Sequence, residues 1–335
     1  MTGEDSVTAT KHGRIGRLVL NRPKALNALD LPMIRALYQA LMDWRDDPHV
    51  HAVVIQGAGD RAFCAGGDIR AVRTASLDGD TALIEAFFAE EYALNQLIAE
   101  YPKPYVALVD GICMGGGIGV SVHGAAIVAT EHAMFAMPET AIGFFPDVGA
   151  TYFLPRLPGM IGTYLGLTGA RMTGADAVHA GLATQFTPRA DLPRLYAALA
   201  ADGAGALASF AAPLPAFSLA EIRPTLDACF APDTVPDIVH RLEAESGDWP
   251  LATLKTLRGL SPSALFWSLA IIRAGADRTL AQCLEAELAL TRTATRHPEF
   301  IEGVRAMVVD KDRRPNWQPN AIEAVNPADI QAMFA

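Results

Sequence analysis

Residues 104–119 read Pro104-Tyr-Val-Ala-Leu-Val-Asp-Gly-Ile-Cys-Met-Gly-Gly-Gly-Ile-Gly119. The run Pro104–Val109 is short and apolar, the pattern of a strand buried on both faces. The glycines that follow open what reads as a helix. Three glycines at a helix N-terminus point unsatisfied N–H groups outward, where the helix dipole favours negative charge. A buried strand, a glycine turn and a helix in succession make one unit of a layered, largely parallel α/β fold.

The same grammar recurs on either side. Ile15–Leu20 reads as a strand, and Leu31–Trp44 as an amphipathic helix carrying Met33, Leu37, Tyr38, Leu41 and Trp44, with Asp30 as its N-cap. Ala52–Gln56 is a second buried strand. It leads into Ala62-Phe-Cys-Ala-Gly-Gly-Asp-Ile69, where a Gly-Gly turn exposes backbone N–H groups. Ala82–Ala99 reads as a helix and Ile127–Ala129 as a short strand. Beyond Pro188 strand signals fade. Helices are expected at Leu192–Ala201, Ser218–Cys229, Val235–Glu245, Leu251–Gly259, Ser263–Gly275 and Leu280–Thr291. The expected organisation is an α/β core over residues 11–188 and a helical extension over 189–335.

Composition narrows the function. With 335 residues, 51% of them hydrophobic and 19% charged, the chain can bury a core without staples. Cys64, Cys113, Cys229 and Cys283 are scattered, with no metal-ligand spacing. Reduced core thiols and an N-terminus, Met1–Lys11, without an apolar signal stretch give the expectation of a cytoplasmic protein with no metal. The net charge of −10 argues against nucleic acid. The uncharged run Gly111–Ala129 is too rich in glycine for a membrane span. Basic clusters (Lys11, Arg14, Arg17, Arg22 and Lys24; Arg61, Arg70 and Arg73) suit a small phosphorylated ligand or are ordinary solubilising charge.

A third segment completes the chemistry. Met137-Pro-Glu-Thr-Ala-Ile-Gly-Phe-Phe-Pro-Asp-Val-Gly149 sets Glu139 and Asp147 in apolar surroundings. Two glycine turns that each offer an N–H to an oxyanion, with two desolvated carboxylates, suit acid–base or nucleophilic work on a carbonyl. Taken singly, glycine turns are usually only turns and loop carboxylates are usually solvated. Ser121 and Cys113 lie near the glycines without an evident base partner, which disfavours a serine or cysteine triad.

In combination, three segments resemble the enoyl-CoA hydratase/isomerase (crotonase) superfamily: Asn21-Arg-Pro-Lys-Ala-Leu-Asn-Ala-Leu29, Ala62–Ile69 and Gly115-Gly-Gly117. The resemblance implies a spiral of strand–strand–helix turns followed by a helical C-terminal region. It implies that the backbone N–H groups of Gly67 and Gly116 hold a thioester oxygen. Lys24, Ala25, Leu26, Ala65, Gly67, Asp68 and Ile69 would line the coenzyme A path. Coenzyme A would enter as part of an acyl-CoA substrate, with no permanent cofactor, and a homo-oligomer, trimer or hexamer, is implied.

One position departs from the hydratase pattern. Hydratases of the superfamily carry a glutamate three positions after the middle glycine, where this chain has Gly119. The other carboxylate persists as Glu139, and Asp147 follows eight positions on. Met137–Gly149, Phe88-Ala-Glu-Glu-Tyr-Ala-Leu-Asn95 and Glu302–Asp312 with Trp317 resemble the branch that hydrolyses short 3-hydroxyacyl-CoA thioesters, the 3-hydroxyisobutyryl-CoA hydrolases of valine breakdown. That branch implies Glu139 as nucleophile or general base, Asp147 as the group placing the 3-hydroxyl or a water, and Glu91 as a further contact to the hydroxyl. A hydratase or isomerase using Glu139 alone, or a non-catalytic binding relative, are the alternatives.

Overall fold

The computed structural model describes residues 6–334, so most of the N-terminal segment Met1–Lys11 read for signals lies within the described part and Met1–Asp5 lies outside it. Ten strands run in chain order: β1 Val7–His12, β2 Ile15–Leu20, β3 Ala52–Gly57, β4 Ala62–Cys64, β5 Tyr105–Val109, β6 Ile112–Met114, β7 Ala126–Ala129, β8 Met134–Ala136, β9 Met172–Thr173 and β10 Gln185–Phe186. They form two sheets, one ordered β1-β2-β3-β5-β7-β10 and the other β4-β6-β8-β9. Successive turns of the chain thus place one strand in each sheet: β3 with β4, β5 with β6, β7 with β8. This is the strand–strand–helix spiral expected from the resemblance, and the fold is mixed α/β with a helical C-terminal region.

From β2 to β10 the larger sheet is parallel, and only the β1–β2 hairpin is antiparallel. Parallel strands covered on both faces read as unbroken apolar runs, and Ala52–Ile55 and Tyr105–Val109 are buried throughout. One face packs Ile15, Val54, Val106 and Val128 against Leu195 and Leu199 of the helix Leu192–Asp202.

By contacts the chain divides into two compact units. The first holds the chain up to Gly67, Glu90–Phe135 and Arg171–Ser218, and contains both sheets. The second holds Asp68–Ala89, Ala136–Ala170 and the chain from Leu219 on. The 11–188 and 189–335 division drawn from the sequence follows element type rather than contacts, and stays a proposal.

The second unit is helical. Its most buried helix, Pro262–Gly275, carries Leu265, Trp267, Leu269, Ile271 and Ile272 inward. Ser261 caps it by accepting the Ala264 N–H, and Pro262 occupies the first turn, where no donor is lost. The helix Leu280–Ala294 starts with a reciprocal Thr279–Gln282 capping box. The helix expected from Ser218 begins instead at Arg223, because Ser218 is held elsewhere: its N–H and hydroxyl both donate to the Asp176 carboxylate.

Candidate active site

In the first unit the loop after β2 is shaped around Asn27, which is fully buried. Its side-chain oxygen accepts the Arg22 N–H at 3.0 Å, and its amide donates to the carbonyls of Ala58 and Ala62, each at 2.9 Å. Those bonds hold Leu26 and Asn27 at φ of 53° and 57°, a region that non-glycine residues seldom enter. Two backbone bonds then stitch this loop to the glycine turn after β4: Ala65 N–H to Leu26 O at 3.0 Å and Leu29 N–H to Gly66 O at 2.8 Å. These bonds set Leu26 beside Ala65 and Leu29 beside Gly66 and Gly67, with Lys24 and Ala25 earlier in the same loop. Lys24 is exposed at the tip. Asp68 and Ile69 belong to the second unit, at the start of the helix Ile69–Asp78.

Gly116 opens the helix Gly116–Val122 directly after β6. A Cβ on it would stand 2.4 Å from the Glu91 Oε1 and 3.3 Å from the Gly67 nitrogen, so these three residues meet at one point. The next glycine answers a packing need: a Cβ on Gly117 would lie 2.3 Å from the Cys64 carbonyl oxygen. Glu91 comes from the helix Thr81–Ala99 and is 2% exposed. The first unit thus places two backbone N–H groups, at Gly67 and Gly116, beside a buried carboxylate. Backbone donors aimed at a developing oxyanion form a common device for acyl transfer.

The nearby thiols and hydroxyl do other work. Burial pushes the Cys64 thiol up to about 12, so it is no thiolate nucleophile. Cys113 is raised well above its ordinary range for the same reason. The Ser121 hydroxyl donates to the Gly117 and Ile118 carbonyls inside its own helix. Of the basic clusters, Lys11 pairs with Asp47 and Arg22 with Asp30. Arg70 and Arg73 donate to the carbonyls of Val308 and Ile301, so these two arginines anchor chain rather than wait for a ligand. Among the described residues no group of three or more His, Cys, Asp or Glu is arranged to hold a metal ion. No described helix is long and apolar enough to cross a membrane.

The second unit carries the other two carboxylates. Glu139, 7% exposed, begins a 3-10 turn, Glu139–Ile142. Asp147, 6% exposed, ends the run Gly143–Asp147. Phe144 stacks on Phe145 with centroids 4.5 Å apart and contacts Phe88 and Phe300 at 5.6 and 5.7 Å. The apolar setting read from Met137–Gly149 is therefore built of packed rings.

Two further acids escaped the sequence reading. Glu299 is 1% exposed; it accepts from the hydroxyls of Ser261 and Ser263 and from the Ser263 N–H. Ser261 in turn donates its N–H to Thr140 O at 3.2 Å, one residue past Glu139. Glu287 is fully buried and accepts from the backbone at Gly149 and Thr151, two and four residues past Asp147. Burial is the leading cause that pushes Glu299 up to about 7 and Glu287 up to about 8. A signal for Glu287 existed: it falls on the apolar face that Cys283, Leu284, Leu290 and Thr291 define at helical spacing. Between Asp147 and Gly149, Val148 sits at φ 54°. A β-branched residue there is an outlier that costs about 1–3 kcal/mol and persists only when its surroundings impose it.

Residues 15–334 match the sequence profile described as Enoyl-CoA hydratase/isomerase. The chain belongs to the enoyl-CoA hydratase/isomerase family. Curated relatives in this family include the mitochondrial 3-hydroxyisobutyryl-CoA hydrolases of Xenopus tropicalis, 45% identical over 97% of this chain and 87% of that one, and of Homo sapiens, 42% identical over 98% and 88%. Solved structures similar to it include a carnitinyl-CoA dehydratase from Mycobacterium thermoresistibile, with TM-score 0.95 and 40% identity, and an enoyl-CoA hydratase from Rhodobacter sphaeroides 2.4.1, with TM-score 0.93 and 42% identity. Each of these covers 99% of this chain and 97% of its own.

The expectation of a cytoplasmic protein is corrected by these relatives, which are named as mitochondrial. Reduced thiols and the lack of an apolar signal stretch separate an exported chain from a retained one. They carry no information between the cytoplasm and an organelle, whose targeting segments are amphipathic rather than apolar.

Proposed function

We propose that this chain hydrolyses the thioester of a short branched or linear 3-hydroxyacyl-CoA, 3-hydroxyisobutyryl-CoA first. The observation that carries the proposal is Gly119. It is buried in the helix Gly116–Val122, where a hydratase of the superfamily would present a glutamate. Addition of water to a double bond calls for two carboxylates, one to drive the attack and one to manage the proton at the α carbon. Gly119 supplies no side chain for either task. The names of the curated relatives support the hydrolytic reading.

In this proposal the N–H groups of Gly67 and Gly116 bind the thioester oxygen and stabilise the tetrahedral oxyanion. Glu139 either attacks the carbonyl carbon, giving a mixed anhydride that water then opens, or takes a proton from the attacking water. The C–S bond breaks and the thiolate of coenzyme A takes a proton. The acyl carbon gains its oxygen from water in the direct route, and from Glu139 in the covalent route when water opens the anhydride at the Glu139 carbonyl. Asp147 places the 3-hydroxyl or the water, and Glu91 assists in recognising the hydroxyl. Lys24, Ala25, Leu26, Ala65, Gly67, Asp68 and Ile69 line the coenzyme path. No permanent cofactor takes part.

The test uses one preparation and two readouts. Free thiol is expected from 3-hydroxyisobutyryl-CoA or 3-hydroxypropionyl-CoA, with little or no loss of enoyl absorbance from crotonyl-CoA, in the presence of a chelator. Fast hydration without thiol release would overturn the proposal. It would favour a hydratase or isomerase, the reading that the names of the two similar solved structures support. A homo-oligomer, trimer or hexamer, is also proposed from the family. Light scattering is expected to give a multiple of the 35.6 kDa chain mass, and a monomer at working concentration would remove that proposal.

A further inference from the structure

We propose that Glu287, on the helix Leu280–Ala294, is a positioning residue that clamps the corner after Asp147 and thereby sets where the Asp147 carboxylate points. The role of Asp147 in this statement rests on the function proposed above, whereas the clamp is a property of the loop itself.

The carboxyl group of Glu287 meets three donors. Its Oε2 accepts the Gly149 N–H at 2.7 Å; its Oε1 accepts the Thr151 N–H at 3.0 Å and the Thr151 hydroxyl at 2.5 Å. Val148 and Gly149 are both left-handed, at φ 54° and 82°. Gly149 is followed by Ala150, which opens the right-handed helix Ala150–Phe153. A left-handed residue followed by a right-handed one turns the flanking N–H groups, here those of Gly149 and Thr151, toward one acceptor. The Ala150 N–H closes the corner on the Asp147 carbonyl at 2.8 Å. Val148, left-handed at φ 54°, links Asp147 to that anchored pair, so a shift of the Gly149–Thr151 anchor is passed to Asp147 through the chain.

The acceptor stands on a rigid arm. Cys283, Leu284, Leu290 and Thr291 of the same helix are buried beside Glu287. Burial, then the Asp147 charge among its other causes, pushes the Glu287 carboxyl up to about 8. A glutamate that only filled space would need none of this geometry; a leucine would do so on an apolar helix face.

The variant Glu287→Gln keeps the shape and replaces one acceptor by an NH₂ group, which cannot serve both donor sets. It is compared with wild type in two measurements. The first is amide exchange over residues 147–151, which needs no substrate. Protection is expected to fall at least tenfold there while the helix Pro262–Gly275 keeps its own. The second is a double-mutant cycle with Asp147→Asn in the thiol-release assay. Glu287→Gln alone is expected to lower kcat about tenfold with KM within twofold. In the Asp147→Asn background it is expected to add less than twofold, because a residue acting through Asp147 has nothing further to lose.

Unchanged exchange at 147–151 overturns the clamp, whatever the activity. Losses that multiply in the double variant overturn its action through Asp147. A wild-type chain that releases no thiol overturns the proposed function instead, and the exchange arm still decides the clamp. If Glu287→Gln does not fold, Thr151→Val removes one donor isosterically. It is expected to show the same two signatures at a smaller scale, a two- to fivefold fall in kcat, and their absence counts against the proposal in the same way.

Discussion

Glu139→Gln and Asp147→Asn are each expected to lower the rate of thioester hydrolysis at least ~10²-fold, the usual scale for lost acid–base function. The substitutions are nearly isosteric, so the loss is expected to appear in kcat rather than in folding. The turn that carries Glu139 does not depend on its carboxylate. Its backbone is held by Phe144 N–H to Glu139 O at 3.0 Å, by Ala141 N–H to Pro138 O at 3.0 Å, and by the Ser261 N–H to Thr140 O. The Thr140 hydroxyl also donates to Leu167 O at 3.0 Å. A glutamine in that turn keeps every one of these bonds and neither attacks a carbonyl nor takes a proton from water. Single-turnover thiol release, with thermal melting as the control for folding, measures the effect. Rates within tenfold of wild type for either variant would remove that residue from the chemistry. Single turnover in heavy-oxygen water also tests the covalent route open to Glu139: label in its carboxylate marks an anhydride opened by water at the Glu139 carbonyl.

The sheet core was legible because parallel strands covered on both faces leave a plain signature. Ala52–Gln56 and Pro104–Val109 are consecutive apolar residues, and both became central strands of the larger sheet. Asp30 was legible as a cap for the usual reason: its carboxylate accepts the Met33 N–H at 2.9 Å. The second sheet was not legible. Its strands β4, β6, β8 and β9 are two or three residues long, too short for any period to show. The edge strand β1 left no apolar signature because Ala9, Thr10, Lys11 and His12 are exposed on both of its faces. Helix starts set by tertiary bonds, such as that of Arg223–Phe230, were misplaced by a few residues.

The candidate site shows the same split between local and distant causes. Gly67 and Gly116 stand out in the sequence because a resemblance singles out their segments, and the fold sets Glu91, Gly67 and Gly116 close to one another. The role of Asn27 is invisible in its motif, since nothing local shows that its side chain bridges to Ala58 and Ala62. Glu287 lies about 140 residues from the corner it bonds, and Glu299 lies 36 and 38 residues from Ser263 and Ser261, separations that no local pattern encodes. What the sequence did offer was a charged residue on an apolar helical face. That is costly unless the charge is neutralised or bonded, so it is a reason to look for donors elsewhere in the chain.

Gly116→Ala is expected to lower kcat by about 10²–10³, the scale on which losing one oxyanion donor removes ~2.7–4 kcal/mol of barrier stabilisation. The cause is steric and local. The added methyl would meet the Glu91 Oε1 at 2.4 Å and the Gly67 nitrogen at 3.3 Å, with Leu29 Cδ1 at 3.4 Å. Glu91 is 2% exposed and cannot swing into solvent without opening the helix Thr81–Ala99 from its neighbours. The strain therefore falls on the backbone at residue 116, the atoms whose N–H is proposed to hold the oxyanion, and on the facing Gly67 N–H. Binding of free coenzyme A does not use the thioester oxygen, so its Kd is expected to stay within a fewfold of wild type. Gly259→Ala serves as the control. A Cβ there meets nothing within 4 Å and its φ is not left-handed, so activity is expected to be unchanged and stability equal or slightly higher. A Gly116→Ala enzyme that hydrolyses the hydroxyacyl thioester within threefold of wild type would show that the oxygen is held elsewhere, and Gly67 with Gly116 would lose the role proposed for them.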